Sequence, residues 1–211
     1  MKKNAFVFIA LLYLLVFAQQ RFSAPPQETL PVTGTFTDSR DGQSYRTVVI
    51  GGQTWMAENL SFDIDSSWCY NDDNANCAKY GRLYAWVAAV KACAGLGDGW
   101  HLPDTANWYA LLEVVGGWEI AGAKLKSKVG WQKDGNGTDE FGFTALPGGG
   151  RRSSSDDFIL VGKEGWWWNA TKGKVSGASS TSIVYYDDCV FVGLPNRSVG
   201  LSVRCVQDVR Q

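Results

Sequence analysis

The stretch GWHLPDTANWYALLEVVGG, residues 99–117, decides the fold because it joins a strand to a helix within a few residues. Its beginning, at Trp100–Leu102, predicts a short buried strand. Pro103 ends that strand, since proline has no backbone amide to donate to a ladder. Asp104 follows where a carboxylate accepts hydrogen bonds from the free amides of a helix's first turn. We therefore expect a strand, a proline stop and a capped helix in immediate succession.

The helix predicted in this stretch is amphipathic. Its apolar side chains recur at i, i+3, i+4 and i+7, the spacing of one helix face: Trp108, Leu111, Leu112 and Val115. Gly116 and Gly117 supply the C-terminal stop. A second helix is predicted upstream, in GRLYAWVAAVKAC, where the same spacing recurs: Leu83, Trp86, Val87 and Val90.

His101 is the only histidine of the chain and lies in the predicted strand between Trp100 and Leu102. Because side chains alternate across a strand, we interpret it as a structural or surface residue. No serine or cysteine nucleophile motif lies beside it. A catalytic role for this histidine is the alternative interpretation.

The rest of the chain is rich in strand and turn patterns. Residues 34–60 predict three strands that turn at Asp41-Gly42 and Gly51-Gly52, both two-residue hairpin signals. Residues 61–80 predict a polar loop. From residue 130 onward, short strands follow one another in FILVG, GWWWNAT, STSIVYYDD, CVFVG and GLSVRCVQD. Consecutive hairpins with two helices indicate an α+β fold with a single core.

The N-terminus predicts a signal peptide over residues 1–18. Two lysines precede the apolar run AFVFIALLYLLVFA, which ends at Ala18, and this is the pattern of a cleaved secretory signal. The run is shorter than the ~20 residues that span a bilayer, so we expect no transmembrane span after cleavage. Residues 19–33 then predict a linker, and residues 34–211 predict a single domain. We expect the protein to be secreted or to lie in the cell envelope, on the extracellular or periplasmic side.

Charge and cysteine content exclude two function classes. The net charge is −1 and the charged residues are scattered along the chain, so no basic surface for nucleic acid is indicated. The cysteines form no CxxC pair, and one histidine provides no zinc spacing. All five cysteines follow the predicted signal peptide, where an oxidising compartment favours disulfides. An odd number leaves at least one cysteine without a partner in the chain.

Six segments, in this order along the chain, carry a resemblance to a known family: QTWMAENL, CYNDDNANCAKYGRLYAW, GWHLPDTANWYALL, GTDEFGFTALPGGGR, GWWWNAT and GLSVRCVQD. Together they resemble the Fibrobacter succinogenes major paralogous domain, a family of exported bacterial proteins, over roughly residues 35–208. The resemblance implies a C-type-lectin-like fold, related to the formylglycine-generating-enzyme fold. In such a fold two helices pack on short antiparallel sheets with long loops.

The resemblance also implies a disulfide arrangement. Cys93, at the end of the first predicted helix, would pair with Cys205 on the last strand, as lectin-like domains tie a helix to the closing strand. Cys69 would pair with Cys77. Cys189 would then remain as a free, buried thiol.

Calcium is the one cofactor that the sequence leaves open; otherwise we predict none. The candidate ligands lie on a glycine-rich loop and carry the oxygens that calcium prefers: Asp134, Asn136, Asp139 and Glu140, with Thr138 between them. Solvated turn residues are the alternative interpretation of this loop. The triplets of the sugar-binding calcium lectins are missing, since Leu146-Pro147-Gly148 and Trp168-Asn169-Ala170 stand nearest to them. Calcium-dependent sugar binding is therefore not expected.

The candidate ligand-binding residues centre on the tryptophan triplet. In a strand Trp166 and Trp168 share one face and Trp167 takes the other. One face should be core, and the other is a candidate aromatic surface on which a sugar ring stacks. Arg151, Arg152 and Tyr185 are predicted to line the same region.

These observations predict an exported, non-catalytic module that binds carbohydrate or a protein partner at the cell surface or outside the cell. A structural envelope protein without a small ligand is the first alternative. An enzyme on the formylglycine-generating-enzyme-like scaffold is the second, although its chemistry requires two reactive cysteines and Cys189 stands alone. The paired acids Asp156-Asp157 and Asp187-Asp188 would point to opposite faces of a strand. The sequence makes no prediction of oligomeric state.

Overall fold

The computed structural model describes residues 31–208. The predicted signal peptide, and the predicted linker apart from its last three residues, lie outside the described residues. The first strand begins at Thr33, one residue before the predicted start of the domain.

Four α-helices lie in the described part of the chain. They are α1 (Asn74–Tyr80), α2 (Trp86–Ala94), α3 (Thr105–Val115) and α4 (Trp118–Leu125), with a 3-10 turn at Tyr70–Asp72. Two of them, α2 and α3, correspond to the predicted helices. Helix α1 lies in the segment predicted as a polar loop, and α4 was not predicted. Within residues 31–208, none of the helices is long and apolar enough to cross a lipid bilayer.

The strands are short and antiparallel. They are β1 (Thr33–Thr37), β2 (Ser44–Ile50), β3 (Gln53–Met56), β4 (Ser67–Trp68), β5 (Leu83–Tyr84), β6 (Trp100–His101), β7 (Gly150–Arg151), β8 (Phe158–Ile159), β9 (Glu164–Lys172), β10 (Ala178–Val184), β11 (Val190–Gly193) and β12 (Val206–Asp208). Helices and short antiparallel sheets together confirm the predicted α+β class.

Two sheets form the body of the domain. The larger sheet has the order β1-β2-β3-β12-β6, and the smaller one has the order β11-β10-β9. The hairpins β9–β10 and β10–β11 confirm the predicted pairing of these segments. The final strand departs from the prediction of consecutive hairpins, because β12 inserts between β3 and β6 of the other sheet. Strand β8 also differs, because it pairs with β7 rather than with β9.

The strand-to-helix stretch forms as predicted, with a strand that ends one residue earlier, at His101. Asp104 accepts from the Asn107 amide at 2.9 Å, and the Asn107 side chain accepts from the Asp104 amide at 2.8 Å. This reciprocal capping box satisfies two amides at the start of α3. Gly116 ends the helix with a φ of 104°, which favours glycine. The predicted apolar face is buried along its whole length.

The first predicted helix needs correction. Helix α2 begins only at Trp86, because Leu83 and Tyr84 pair with β4. Val87 is 53% exposed, so it is not part of the buried face. The buried face instead carries small side chains in addition to Trp86: Ala88, Ala89, Ala92 and Cys93. Small residues allow the helix to lie close to its neighbours, and the predicted apolar spacing overlooked them.

Strand β9 lies between two buried hydrophobic clusters. The first cluster comprises Tyr45, Met56, Leu60, Tyr84, Trp86, Ala88, Ala89, Ala92, Cys93, Leu96, Trp100, Leu102, Trp168, Ala178, Leu201, Val203 and Cys205. The second cluster comprises Val48, Ile50, Trp55, Ala57, Trp108, Leu111, Leu112, Val115, Ala121, Leu125, Trp131, Phe143, Ala145, Trp167, Ile183, Val190 and Val206. Trp168 therefore packs on one side of the strand and Trp167 on the other, as the predicted alternation requires.

Both predicted disulfides are present. Cys93 is bonded to Cys205, which joins the end of α2 to the residue before β12, and Cys69 is bonded to Cys77. Cys189 is free, but it is half-exposed rather than buried. Its position just before β11 and beside α4 explains the difference, because its thiol contacts the Glu119 carbonyl at 3.6 Å and the Asp187 side chain rather than the core.

Candidate functional site

A groove with a volume of about 400 Å³ lies over the outer face of the β9–β11 sheet. Its lining residues come from four chain segments: Arg151, Arg152, Ile159, Trp166, Ser180, Ser182, Gly193, Leu194, Pro195, Val199 and Leu201. Three of the predicted ligand-binding residues, Arg151, Arg152 and Trp166, are thus brought together. Strand pairing places Trp166 opposite Ser182 on the neighbouring strand, so the two residues lie side by side in the groove.

Trp166 forms one wall of the groove and is half-buried. Its indole lies against Gly150, where a Cβ atom would come within 2.7 Å of the ring carbon Cε3. Glycine at this position therefore allows the ring to reach its place. The two serine hydroxyls beside it differ in exposure, since Ser180 is buried and Ser182 is half-buried.

The other two tryptophans of the triplet are core residues. Trp167 and Trp168 are both fully buried. The Trp167 indole donates to Asn59 Oδ1 at 2.9 Å, and the Trp168 indole donates to the Tyr84 carbonyl at 2.6 Å. Of the three predicted ligand-binding tryptophans, Trp167 and Trp168 are thus covered by the core on opposite faces of β9, and Trp166 is the one that lines the groove.

The two arginines of the groove have different surroundings. The Arg151 guanidinium lies over the Trp68 ring at 4.1 Å from its centroid and pairs with Asp156 at 2.6 Å. Its backbone also exchanges two hydrogen bonds with Gly200. Arg152, in contrast, is exposed and makes no ion pair with any residue of the described chain. Arg151 is thus held in the wall, and Arg152 presents a free cation at the rim.

Tyr185 does not line the groove. It packs against the second cluster, and its ring centroid lies 5.1 Å from that of Tyr186. Lys133 lies over the Tyr185 ring at 5.6 Å. The predicted association of this tyrosine with the two arginines is therefore not seen, because the chain turns away from the groove after β10.

Comparison with known proteins identifies the family. The profile of the Fibrobacter succinogenes major domain matches residues 48–207. The chain belongs to this family. No curated protein and no solved structure gives a significant match. All residues that line the groove lie inside the matched segment, so the groove is part of the Fibrobacter succinogenes major domain itself.

The predicted calcium loop directs its side chains to different partners. Asn136 Oδ1 accepts from the Trp131 amide at 3.0 Å, and Asp139 accepts from the amide and hydroxyl of Thr144 at 2.6 and 2.8 Å. Glu140 pairs with Lys124 at 3.7 Å, and Asp134 is exposed. Within residues 31–208, no three His, Cys, Asp or Glu side chains come together as a metal site requires. The loop therefore provides no support for the calcium prediction.

The candidate catalytic groups of this Fibrobacter succinogenes major domain contact different partners. His101 Nδ1 lies 2.9 Å from the Gly99 carbonyl oxygen. Of the paired acids, Asp156 contacts Arg151 and Asp157 contacts the Ser155 hydroxyl at 2.7 Å. These side chains are occupied by local structural contacts.

The second acidic pair lies near the free cysteine. Asp187 accepts from the Cys189 amide at 2.8 Å, and this bond holds the pKa of the Asp187 carboxyl below its usual value. The side-chain contact with Asp187 raises the pKa of the Cys189 thiol. Asp188 lies 3.4 Å from Lys126 Nζ. A raised thiol pKa reduces the thiolate fraction, and the thiolate is the nucleophilic form.

Sequence reasoning missed several groove residues, among them Ser180, Ser182 and Leu194. The alternation of serines in SSTS, residues 179–182, was a usable signal, because it places small polar groups on one face of a strand. Pairing with the tryptophan strand then decides that this face lies beside Trp166.

Proposed function

We propose that this protein is an exported, non-catalytic binding module with a C-type-lectin-like fold, and that its groove binds carbohydrate. The observation that carries the proposal is the combination of a half-buried indole, two serine hydroxyls and a free guanidinium in one groove. A sugar ring has apolar C–H faces and hydroxyl edges, which match an aromatic wall beside small polar groups. Ligand sites of this kind are mostly apolar with a few placed polar groups.

The order of elements supports a lectin-like fold. Helix α2 is followed by the short strand β6, by Leu102-Pro103 and by helix α3. The disulfide between Cys93 and Cys205 ties the first of these helices to the closing segment. Both features belong to the pattern that lectin-like domains share.

Export is supported by the two disulfides. Disulfides persist in oxidising compartments and are rare where thiols are kept reduced. A basic N-terminus followed by an apolar run agrees with export. His101 contacts the Gly99 carbonyl and Asp156 contacts Arg151, and these structural contacts favour binding over catalysis.

A glycan array tests the proposal with the chain as secreted by an expressing cell. We expect a restricted set of saccharides to bind. Leu194→Ser removes an exposed apolar side chain from the groove, and we expect at least about fivefold weaker binding as the apolar contact is lost. Val192→Ser is the matched control, because Val192 is exposed nearby on β11 but does not line the groove.

Two results would count against a carbohydrate site in this groove. One is an array on which no saccharide binds. The other is a bound saccharide whose affinity is the same for Leu194→Ser and for the original chain. Capture of a protein partner that is lost in Leu194→Ser, without any saccharide binding, would instead indicate the protein-binding form of the module.

A further inference from the structure

The charges around the groove are unequal. In the described part of the chain its lining includes two arginines and no aspartate or glutamate. A groove that bound sugars through neutral hydrogen bonds alone would not need more positive than negative side chains. The positive charge therefore bears on which sugars the groove accepts, and this step rests on the carbohydrate-binding function proposed above.

Only one of the two arginines is available to a ligand. Arg151 is already neutralised by Asp156 at 2.6 Å and its side chain is 13% exposed. The neighbouring acid, Asp157, does not neutralise Arg152: its carboxylate contacts the Ser155 hydroxyl, and its carbonyl accepts from the Arg152 amide at 2.9 Å. Arg152 thus keeps an unpaired guanidinium beside the apolar wall.

The nearest acid along strand β9 does not reverse this balance. Glu164 lies two residues before Trp166 but does not line the groove. Burial raises the pKa of its carboxyl above the usual value. The Glu164 carboxyl is hydrogen-bonded to the Trp166 side chain and makes no ion pair with Arg152 in the described part of the chain.

We infer that the groove takes an acidic saccharide, with the carboxylate of a hexuronate unit on Arg152 and the face of the sugar ring against Trp166. A guanidinium presents its N–H groups in a planar fork that matches a carboxylate in two parallel hydrogen bonds. Ser180 and Ser182 would face the sugar hydroxyls from the floor. The same groove would accept a neutral saccharide of equal shape less well, because it leaves the guanidinium without this partner.

Calorimetric titration with oligogalacturonate and oligoglucuronate tests the inference. Each is compared with the same oligosaccharide after its carboxylates are reduced to primary alcohols, which changes the charge and leaves the linkage. We expect at least one acidic form to bind at least about tenfold more tightly than its reduced form, as for a charge-assisted hydrogen bond. Poly-glutamate serves as a carboxylate without a sugar ring, and we expect it to bind weakly.

Arg152→Gln is the decisive variant. Its side chain is exposed, so the variant should fold, and a thermal melt checks this. We expect it to lose most of the preference for the acidic form, while Arg152→Lys keeps part of it. Lys128→Gln is the matched control, because it removes one exposed positive charge that does not line the groove.

Each outcome has one meaning. Equal binding of acidic and reduced forms, with no effect of Arg152→Gln, overturns the acidic preference and leaves the carbohydrate site standing. Binding of poly-glutamate as tight as that of the acidic saccharides overturns the role of the sugar ring. If no acidic saccharide binds while a neutral one binds on the array, the inference fails alone. If no saccharide binds at all, the proposed function fails with it.

Discussion

The two hydrophobic clusters are held together in different ways. The first contains the Cys93–Cys205 disulfide, which joins residues 112 positions apart. The second contains no disulfide, but its aromatic rings interlock: Trp55 with Trp108 at 5.0 Å, Trp108 with Phe143 at 5.9 Å and Phe143 with Trp167 at 6.4 Å. One cluster therefore depends on a covalent bond across the chain and the other on ring packing.

A buried cation adds to the contrast. Arg204 is fully buried on the side of the second cluster, with its guanidinium 4.2 Å from the Phe143 ring centroid. It donates to the carbonyls of Phe143 and Thr144 and to Asn59 Oδ1. Burial lowers the pKa of Arg204 to about 9, so the group stays charged at neutral pH. Neutral carbonyls, rather than a carboxylate, satisfy this cation.

The arrangement shows how one segment serves both clusters. Val203 and Cys205 belong to the first cluster, whereas Arg204 and Val206 face the second. Within these four consecutive residues, Cys205 forms the disulfide of the first cluster and Arg204 makes hydrogen bonds beside the second. Disrupting each of these interactions should lower the stability of the domain by a different amount.

The largest effect is expected from breaking the long-range disulfide. The double variant Cys93→Ser, Cys205→Ser should lower the free energy of unfolding by about 4–5 kcal/mol in the chain-entropy account. Removing Cys69–Cys77, which are eight residues apart, should cost only about 2–3 kcal/mol because the closed loop is short. Urea unfolding measures both. Equal losses for the two bridges would contradict the entropic explanation.

The ring packing of the second cluster should come next. Trp167→Ala should cost about 4 kcal/mol, because it opens a cavity in a fully buried site. Trp166→Ala on the same strand is the control and should cost about half as much, since that side chain is only half-buried. Thermal and urea unfolding test the pair. Similar losses would mean that the two faces of β9 are equally important.

Removing the buried cation should have a smaller effect. Arg204→Met leaves the Phe143 and Thr144 carbonyls without a donor and should cost about 2–3 kcal/mol, because relief from burying the charge offsets part of the lost bonding. Arg204→Lys keeps the charge but has fewer donors, so an intermediate loss is expected from urea unfolding. A methionine variant as stable as the original would show that burial of the charge cancels its hydrogen bonds.

Alkaline pH should also weaken the first cluster. Burial raises the pKa of Tyr45 to about 12 from 10.0, and it raises the pKa of Tyr84 well above 10.0. A raised folded-state pKa means that the neutral tyrosine contributes its full stability below pH 10 and loses it as the pH rises toward 12. Measurements of the unfolding free energy at pH values from about 9 to about 12 test this prediction.

Tyr45→Phe provides the comparison for the pH series. It removes the hydroxyl that accepts from the Ser61 amide at 3.1 Å, so we expect a loss of about 1 kcal/mol at neutral pH. It should also flatten the alkaline fall in stability. Tyr109→Phe, at an exposed residue, should change neither quantity. An unchanged alkaline fall in Tyr45→Phe would exclude this tyrosine as the cause.

Local chemistry made the central stretch predictable. Pro103 stops the strand, Asp104 caps α3 and Gly116 ends it, and each of these residues acts on neighbours a few positions away. The disulfide pairing was also anticipated, through family resemblance rather than through spacing. The alternation of Trp166, Trp167 and Trp168 followed from strand geometry alone.

Other features depend on distant parts of the chain. Helix α1 forms inside a polar segment, with Asp73 as its N-cap and a disulfide through Cys77. The buried face of α2 consists largely of alanines, whose burial depends on close neighbours rather than on apolar size. Strand β12 pairs with β3 and β6, which are far from it in the sequence, and no local pattern specifies this pairing.

The residues of this chain specify their own turns, caps and strand alternation, because these follow from backbone sterics and hydrogen bonds between near neighbours. They do not by themselves reveal which face of the tryptophan strand stays open. That was decided by tertiary packing: two clusters cover Trp167 and Trp168, and Arg151, Ser182 and Leu194 converge from distant segments beside Trp166. A groove exists only where separate segments meet, so its contents depend on the complete fold.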